Sequence, residues 1–394
     1  MIYLDNAAST APAEEALDAM LEAARALHAN PASAHAAGAA AARALDAARA
    51  ELAAALDADA AEIVFTSGGT EADALGVVGA ARAARGRHLV VTALEHPAVM
   101  RSAEALAAEG YTLDVVAPDP RGVVAPEAVL AAVRPETAVV AVMLANNELG
   151  TLQPVAEIAR RLDALGPRAK RPHLHVDAVQ AFVLSRLDPR GLGADTVALS
   201  AHKLHGPRGG GALWVRPGAR LKPLWVGGGQ ERGLRGGTEN LPALVGFARA
   251  ATLARRALAA GAAEAVATLR DRLERDAVTA LAAVVPGARV TVAGAPRVPH
   301  IASLALPGLP AEPVLHALEA RGVLASAGSA CASRTAGPSP ALAAIGIDDR
   351  TAVLRFSLCR ASTAADVDAA VRALAGAAAE IAATLRLTSP HTRR

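Results

Sequence analysis

The stretch DTVALSAHKLHGPRGGG (195–211) decides the fold. Its apolar run Thr196–Leu199 reads as a buried strand that stops at Ser200. Behind the stop come His202, Lys203, His205 and Arg208, and then Gly209, Gly210 and Gly211 close the segment. A lysine placed where a buried strand breaks into a Gly/Pro-rich loop is held by a rigid edge and stays open to a ligand. Upstream, HVDAVQ (175–180) is a second short strand, and it ends in a carboxylate, Asp177.

Working outward, strand-like and helix-like runs alternate. EIVFT (62–66) precedes a helix from about 70, HLVVT (88–92) one from 97, YTLDVVA (111–117) one near 126–132, and TAVVAVML (137–144) one near 154–165. HLHVD (173–177), TVALS (196–200) and GALWV (211–215) bring the strands to seven. Continuous apolar strands between helices predict an α/β domain with a mostly parallel seven-stranded sheet covered on both faces. Ligands of such sheets sit at the carboxyl ends of the strands.

Before the sheet, residues 13–28 and 36–56 have helical patterns joined by NPASAHAAG (30–38), where Asn30-Pro31 ends one helix and Ser33 is the expected cap of the next. After Gly228 the character changes. A Gly-rich loop, GGGQERGLRGGTEN (227–240), leads into one long helical region over 241–283. Strands at VTVAG (290–294), HIASLAL (300–306) and AVLRFSL (352–358) follow, with helices from 311 and over 363–385. These form a smaller α+β domain. The expected division is a large domain over 12–255 and a small one made of 1–11 and 256–394, carrying a loop at about 326–340.

At 394 residues the chain exceeds the usual single core, which agrees with two domains. Aromatic residues are only 2%, so the core must be built from Leu, Val and Ile with closely packed Ala-lined helices. The net charge of +2, from 40 basic and 38 acidic residues, leaves no footprint for direct nucleic-acid binding. Two cysteines, Cys331 and Cys359, make neither a disulfide framework nor a metal motif, and no metal is expected. MIYLDNAAST carries no signal-peptide pattern and no apolar run reaches a membrane span, so the expected compartment is the cytoplasm.

The chemistry-bearing residues gather at strand ends. An Asp and a Lys on neighbouring strand ends are what a pyridoxal phosphate enzyme needs: Asp177 keeps the pyridine nitrogen protonated and Lys203 holds the aldehyde as a Schiff base. In FTSGGTEA (65–72), Gly69 and Thr70 open a helix and point backbone N–H groups at an anion, although Gly-Gly-Thr is also an ordinary capped turn. His96 can stack on a flat cofactor, or be structural. Asn147, in NNELG (146–150), and Gln180 can each reach a phenolic oxygen; an Asx-type turn is the plainer use of the first. Cys331 lies in SAGSACASRTAGPSP (326–340), a run of small residues that favours exposure and reactivity. Cys359, at the end of an apolar strand, has a structural role.

Together these segments resemble the cysteine desulfurases of the NifS/IscS-like group, within the class V aminotransferase family of fold-type I pyridoxal phosphate enzymes. YLDNAAST, NPASAHAAG, FTSGGTEA, EHPAV, NNELGTLQP, HVDAVQ, SAHKLHGPRGGG, GGGQERGLRGGTEN, GSACAS and LRFSLCR match in order over nearly the whole chain. The resemblance implies conversion of L-cysteine to L-alanine, with the sulfur passed to Cys331 as a persulfide. It implies Lys203, Cys331 and His96 as catalytic residues. Gly69, Thr70, Ser200 and His202 match phosphate-binding positions, and Thr238 matches a residue that reaches the partner subunit's phosphate in a homodimer. Asn30 and Arg355 match the groups that hold the substrate carboxylate. A sulfur-acceptor protein is the implied partner, serving iron–sulfur clusters, thio-cofactors, tRNA or DNA. A selenocysteine lyase or a class V aminotransferase is the alternative activity; an idle partner-binding scaffold would lack the intact Lys203, Asp177 and His96. Ala32-Ser33 and Ala332-Ser333 replace a common Ser-Ser, and Cys359 stands where Gly is common. The ending RLTSPHTRR has no match to the acidic, aromatic tail that engages an iron–sulfur scaffold.

Overall fold

The structure, a computed structural model, describes residues 1–168, 170–328, 339–348 and 350–388. Strand β1 (Ile2–Tyr3) leads to helices α1 (Glu14–Ala26) and α2 (Ala36–Ala55). There follow β2 (Ile63–Thr66), α3 (Gly69–Ala74), a π turn over Leu75–Gly79, α4 (Ala80–Ala83), β3 (His88–Thr92), α5 (Pro97–Ala108) and β4 (Thr112–Val116). Helix α6 (Pro126–Ala132), β5 (Thr137–Ala141), α7 (Val155–Ala164), β6 (His173–Asp177), β7 (Thr196–Ser200) and β8 (Gly211–Val215) complete the first half.

Seven strands form one sheet in the order β2-β8-β7-β6-β5-β3-β4. Neighbours from β4 through β7 are parallel, whereas β8 runs against both β7 and β2. Every residue of β2, β3, β5 and β7 is buried. That is the burial a parallel sheet needs when helices cover both faces. The strands therefore read as unbroken apolar runs, and the crossover helices bring their carboxyl ends to one edge.

The second half begins with α8 (Leu241–Ala259) and α9 (Ala262–Leu281), then β9 (Arg289–Val290), β10 (Ile301–Pro307), α10 (Ala311–Glu319), β11 (Val323–Leu324), β12 (Ser326–Ala327), α11 (Pro340–Ala344), β13 (Thr351–Ser357) and α12 (Ala364–Thr388). An antiparallel sheet has the order β12-β13-β10-β9, and β1 pairs with β11. Its core is separate from that of the large sheet and is built from Leu4, Leu304, Leu354, Phe356, Val367 and Leu374 among others. Among the described residues, no helix is long and apolar enough to cross a membrane.

Four local expectations change. The helical region over 241–283 is two helices, because Gly261 at φ 84° stops the first and opens the second. Helix α8 packs on α1 and α2, whereas α9 packs on α12 and β10. Only Val290 of VTVAG lies in a strand; Thr291 to Gly294 turn instead. His35, not Ser33, caps α2, its Nδ1 accepting from Gly38 N at 3.2 Å. The expected strand over 137–144 ends at Ala141, leaving Met143 and the NNELG turn to face the sheet edge.

Candidate active site

The strand ends present one side chain after another to a single cleft of about 240 Å³. Asp177 is the last residue of β6. Lys203 ends the one-turn helix Ala201–Lys203 that follows β7 directly. His96 is the N-cap of α5: its Nδ1 accepts from Ala98 N at 3.1 Å, and Pro97 opens the helix. Gly69 and Thr70 begin α3 just after β2. From the other sheet, β13 brings in Arg355. Asn147, Gln180, Ser200 and His202 complete the expected set in the lining.

The N-terminal segment forms one wall, and sequence reasoning missed it. Lys203 Nζ donates to the carbonyls of Ala7 at 2.7 Å and Ala8 at 2.9 Å. Gln180 Nε2 also donates to Ala7 O, at 2.8 Å. His202 Nδ1 lies 3.2 Å from Ser9 Oγ, and its carbonyl accepts from Thr10 Oγ1 at 2.8 Å. These are mostly backbone contacts, and alanine carbonyls leave no signal in a sequence. Asp73, Met143 and Val179 also line the cleft. Asp73 had a signal: it lies three residues after Thr70, on the same face of one helical turn.

Arg355 is 1% exposed. Its Nη2 donates to Asp5 Oδ1 at 2.6 Å and its Nη1 to Asn147 O at 2.8 Å, while its Nε is buried without a partner. A buried guanidinium with a spare donor is suited to an incoming carboxylate.

Burial shapes the electrostatics. It pushes the Asp177 carboxyl up, and the neighbouring His96, a bond from Val179 N and the charge of Lys203 pull it back. His96 is lowered, mainly by burial and further by Lys203, while Asp177 acts the other way. His202 falls to about 4 through burial and the cations Lys203 and Arg208. Both imidazoles are thus neutral near pH 7, and His96 is able to accept a proton.

Three expected residues lie elsewhere. Asn30 is outside the lining, exposed in the turn after α1, where its Oδ1 accepts from Ala32 N at 2.9 Å. Thr238 is exposed in the Gly-rich loop, also outside the lining. Cys331 falls outside the described residues. Cys359 is half-buried just beyond β13, its backbone N–H donating to Ser362 Oγ at 3.0 Å.

The chain matches the Aminotransferase class-V family over residues 2–370. The chain belongs to that family. Members are fold-type I pyridoxal phosphate enzymes, and the seven-stranded sheet with its strand-end Lys and Asp is that fold. A protein from Cereibacter sphaeroides named "Cysteine desulfurase" is 42% identical over 375 residues, 93% of each chain. Among solved structures, one titled "NIFS-LIKE PROTEIN" aligns with a TM-score of 0.86 and 33% identity, covering 95% of this chain and 98% of the other. Another, titled "SspA in complex with cysteine", aligns with a TM-score of 0.77 and 30% identity, covering 92% and 100%.

Proposed function

We propose that the chain is a cysteine desulfurase that converts L-cysteine to L-alanine and passes the sulfur to Cys331. One observation carries the reading: Lys203 and Asp177 on adjacent strand ends, with the buried guanidinium of Arg355 across the same cleft. The relatives named for this activity, and the relative bound to cysteine, point the same way.

The residues present fit pyridoxal phosphate. A Cβ on Gly69 would approach Val179 Cγ2 to 3.0 Å and Ser200 Cβ to 3.3 Å, so the cradle stays open because this position is glycine. Gly69, Thr70, Ser200 and His202 would hold the phosphate, and Asn147 and Gln180 the phenolic oxygen. Asp177 would hold the proton on the ring nitrogen, since an adjacent cation restores the charged form of a buried carboxyl. His96 would stack on the ring. Thr238 would act on the phosphate of the second protomer in a homodimer. When bound, the cofactor supplies a sink for the charge left at the substrate α-carbon.

The remaining chemistry falls to this chain's side chains. Arg355 orients the substrate by its carboxylate, and Asn30 would share that contact only by moving in from the turn after α1. Lys203 would hold the cofactor's aldehyde carbon at rest and, once freed as an amine, would take the proton from the substrate α-carbon. The Cys331 thiolate forms the S–S bond as the substrate C–S bond breaks. Its sulfur is oxidised to a persulfide, the substrate β-carbon is reduced to a methyl group, and a proton comes to that carbon. His96 is the neutral base placed to shuttle that proton. The division into a large domain over 12–255 and a small one of 1–11 and 256–394, a cytoplasmic site of action and a sulfur-acceptor protein belong to the same reading.

The test is release of alanine and sulfide from L-cysteine with a reductant, for wild type and Cys331→Ala. Equal alanine and sulfide from the wild type, and neither from the variant, is the expected outcome. Unchanged turnover in the variant removes Cys331 from the chemistry and turns the reading toward a lyase that acts on selenocysteine. No alanine from either protein, with cofactor bound, turns it toward transamination.

A further inference from the structure

At the cleft wall, three buried carboxyls lie within reach of one another's charge: Asp177 at the end of β6 and Asp73 in α3, which line the cleft, and Glu95 in the turn between β3 and α5, behind them. The cation sits on one side of this group: Lys203 favours the charge on Asp177 and does not do so for Asp73 or Glu95. His175, the ring nearest Asp73, is itself pushed down to about 3 by burial and then by His173, and stays neutral.

Bonding geometry separates the three in the same way. Glu95 Oε1 accepts from Thr92 Oγ1 and from Met143 N, both at 2.7 Å, whereas Oε2 is buried without a partner. A carboxylate would leave half its charge on that buried, unpaired oxygen, at high cost. A carboxylic acid uses Oε1 as its carbonyl acceptor and places its hydroxyl at Oε2. Asp73 Oδ1 lies 3.2 Å from His175 Nε2, and His175 Nδ1 lies 3.0 Å from Thr196 Oγ1. With that ring neutral, the two contacts accommodate an Asp73 hydroxyl donating to Nε2 with Nδ1–H donating to Thr196 Oγ1. Burial first, and the charge of Asp177, raise both acids, Glu95 to about 8.

We propose that Glu95 and Asp73 are positioning residues held as neutral acids behind Asp177, leaving Asp177 the one negative charge of the group. The proposal rests on the pyridoxal phosphate reading, because the charge of Asp177 serves function only as the partner of the ring nitrogen. The titratable and charged groups facing the three carboxyls are His96 from the β3–α5 turn, His175 from β6 and Lys203 from beyond β7. The end of β5 supplies only uncharged Met143 and Asn147. Glu95 also ties the turn that carries His96 to the end of β5, through its bond from Met143 N.

The test compares infrared difference spectra of holo wild type with Glu95→Gln and Asp73→Asn at pH 7, together with the pH titration of the bound cofactor's visible absorbance. Each isosteric change is expected to delete one protonated-carboxyl band and to move the titration by less than ~0.3 unit, where loss of a neighbouring charge moves it by ~1 unit or more. Glu95→Ala is expected to shift the titration by releasing the His96 turn, and Glu95→Gln to restore it. Loss of a carboxylate band instead, a shift of a unit in the isosteric variants, or an unmoved titration in Glu95→Ala overturns the proposal and leaves the cofactor reading intact. Should Asp73→Asn fail to fold, Glu95→Gln decides. A wild type that takes up no pyridoxal phosphate ends the underlying reading instead, and the apo-protein bands still report which acids are protonated.

Discussion

Arg355 concentrates the residue-scale argument. It is nearly fully buried, its two terminal nitrogens are committed to Asp5 and to Asn147 O, and its Nε has no partner. Lysine keeps the charge and loses the planar fork. Arg355→Lys is therefore expected to raise KM for cysteine by about 10- to 100-fold, the equivalent of one charge-assisted bond of ~1.5–3 kcal/mol, with a smaller change in kcat. Steady-state kinetics check this; an unchanged KM would move the carboxylate site off Arg355. At the same scale, Lys203→Ala is expected to lower kcat by at least ~10²–10⁴-fold, the usual range for a positioned base. Single-turnover assays, in which added amines replace the missing base, separate that loss from simple failure to bind. Residues of this kind were legible in the sequence because strand ends with Lys, Asp or His are rare and motif-bound. Ala7, Ala8 and Glu95 were not: two act through backbone carbonyls, and the third owes its character to burial.

At the scale of elements, the sheet was legible because its strands are continuous apolar runs. The direction of β8 was not, since GALWV reads the same either way along a ladder. Nor was the break in 241–283, where one glycine in an otherwise helical pattern had to be weighed against the residues around it. The reversed β8 has a consequence at Gly211, which pairs with Thr66 on one side and Ser200 on the other. A Cβ there would lie 2.5 Å from both Cα and C of Gly68, backbone atoms that cannot swing away. Gly211→Ala is expected to destabilise the fold by about 1–3 kcal/mol, as overpacking does. Because Gly68 leads into Gly69 and Thr70, the same change is expected to weaken cofactor retention. Urea melts and dialysis against buffer measure the two effects; retention unchanged at lowered stability would detach this loop from phosphate binding.

For the whole molecule, the N-terminal segment links the two sheets. Its strand pairs with β11, Asn6 and Ala7 bond to Ser357 of β13, and Ala7 and Ala8 meet Lys203 beyond β7. Unfolding of either sheet therefore disturbs the cleft, and the pH dependence of global stability reports on groups buried around it. Burial holds His173 and His202 near 4 and His175 and His300 near 3. In the unfolded chain these rings titrate near 6.5, so below that pH the unfolded state binds more protons and stability falls toward pH 4. Glu95 acts with the opposite sign. Its folded value of about 8 exceeds its ordinary 4.5, so the folded state holds the extra proton. That contribution is complete below pH 4.5 and is lost as the pH rises through 8. Four rings outweigh one or two acids on the low side, and the acids alone act above the rings' range. Urea denaturation at fixed pH is therefore expected to show maximal stability near pH ~7, a steep loss toward pH 4 and a shallow decline toward pH 8. Glu95→Gln is expected to flatten the shallow limb and leave the steep one. A wild-type stability that climbs steadily from pH 6.5 to 8 would mean that Glu95 is already ionised in the folded protein, and would set a second charge beside Asp177.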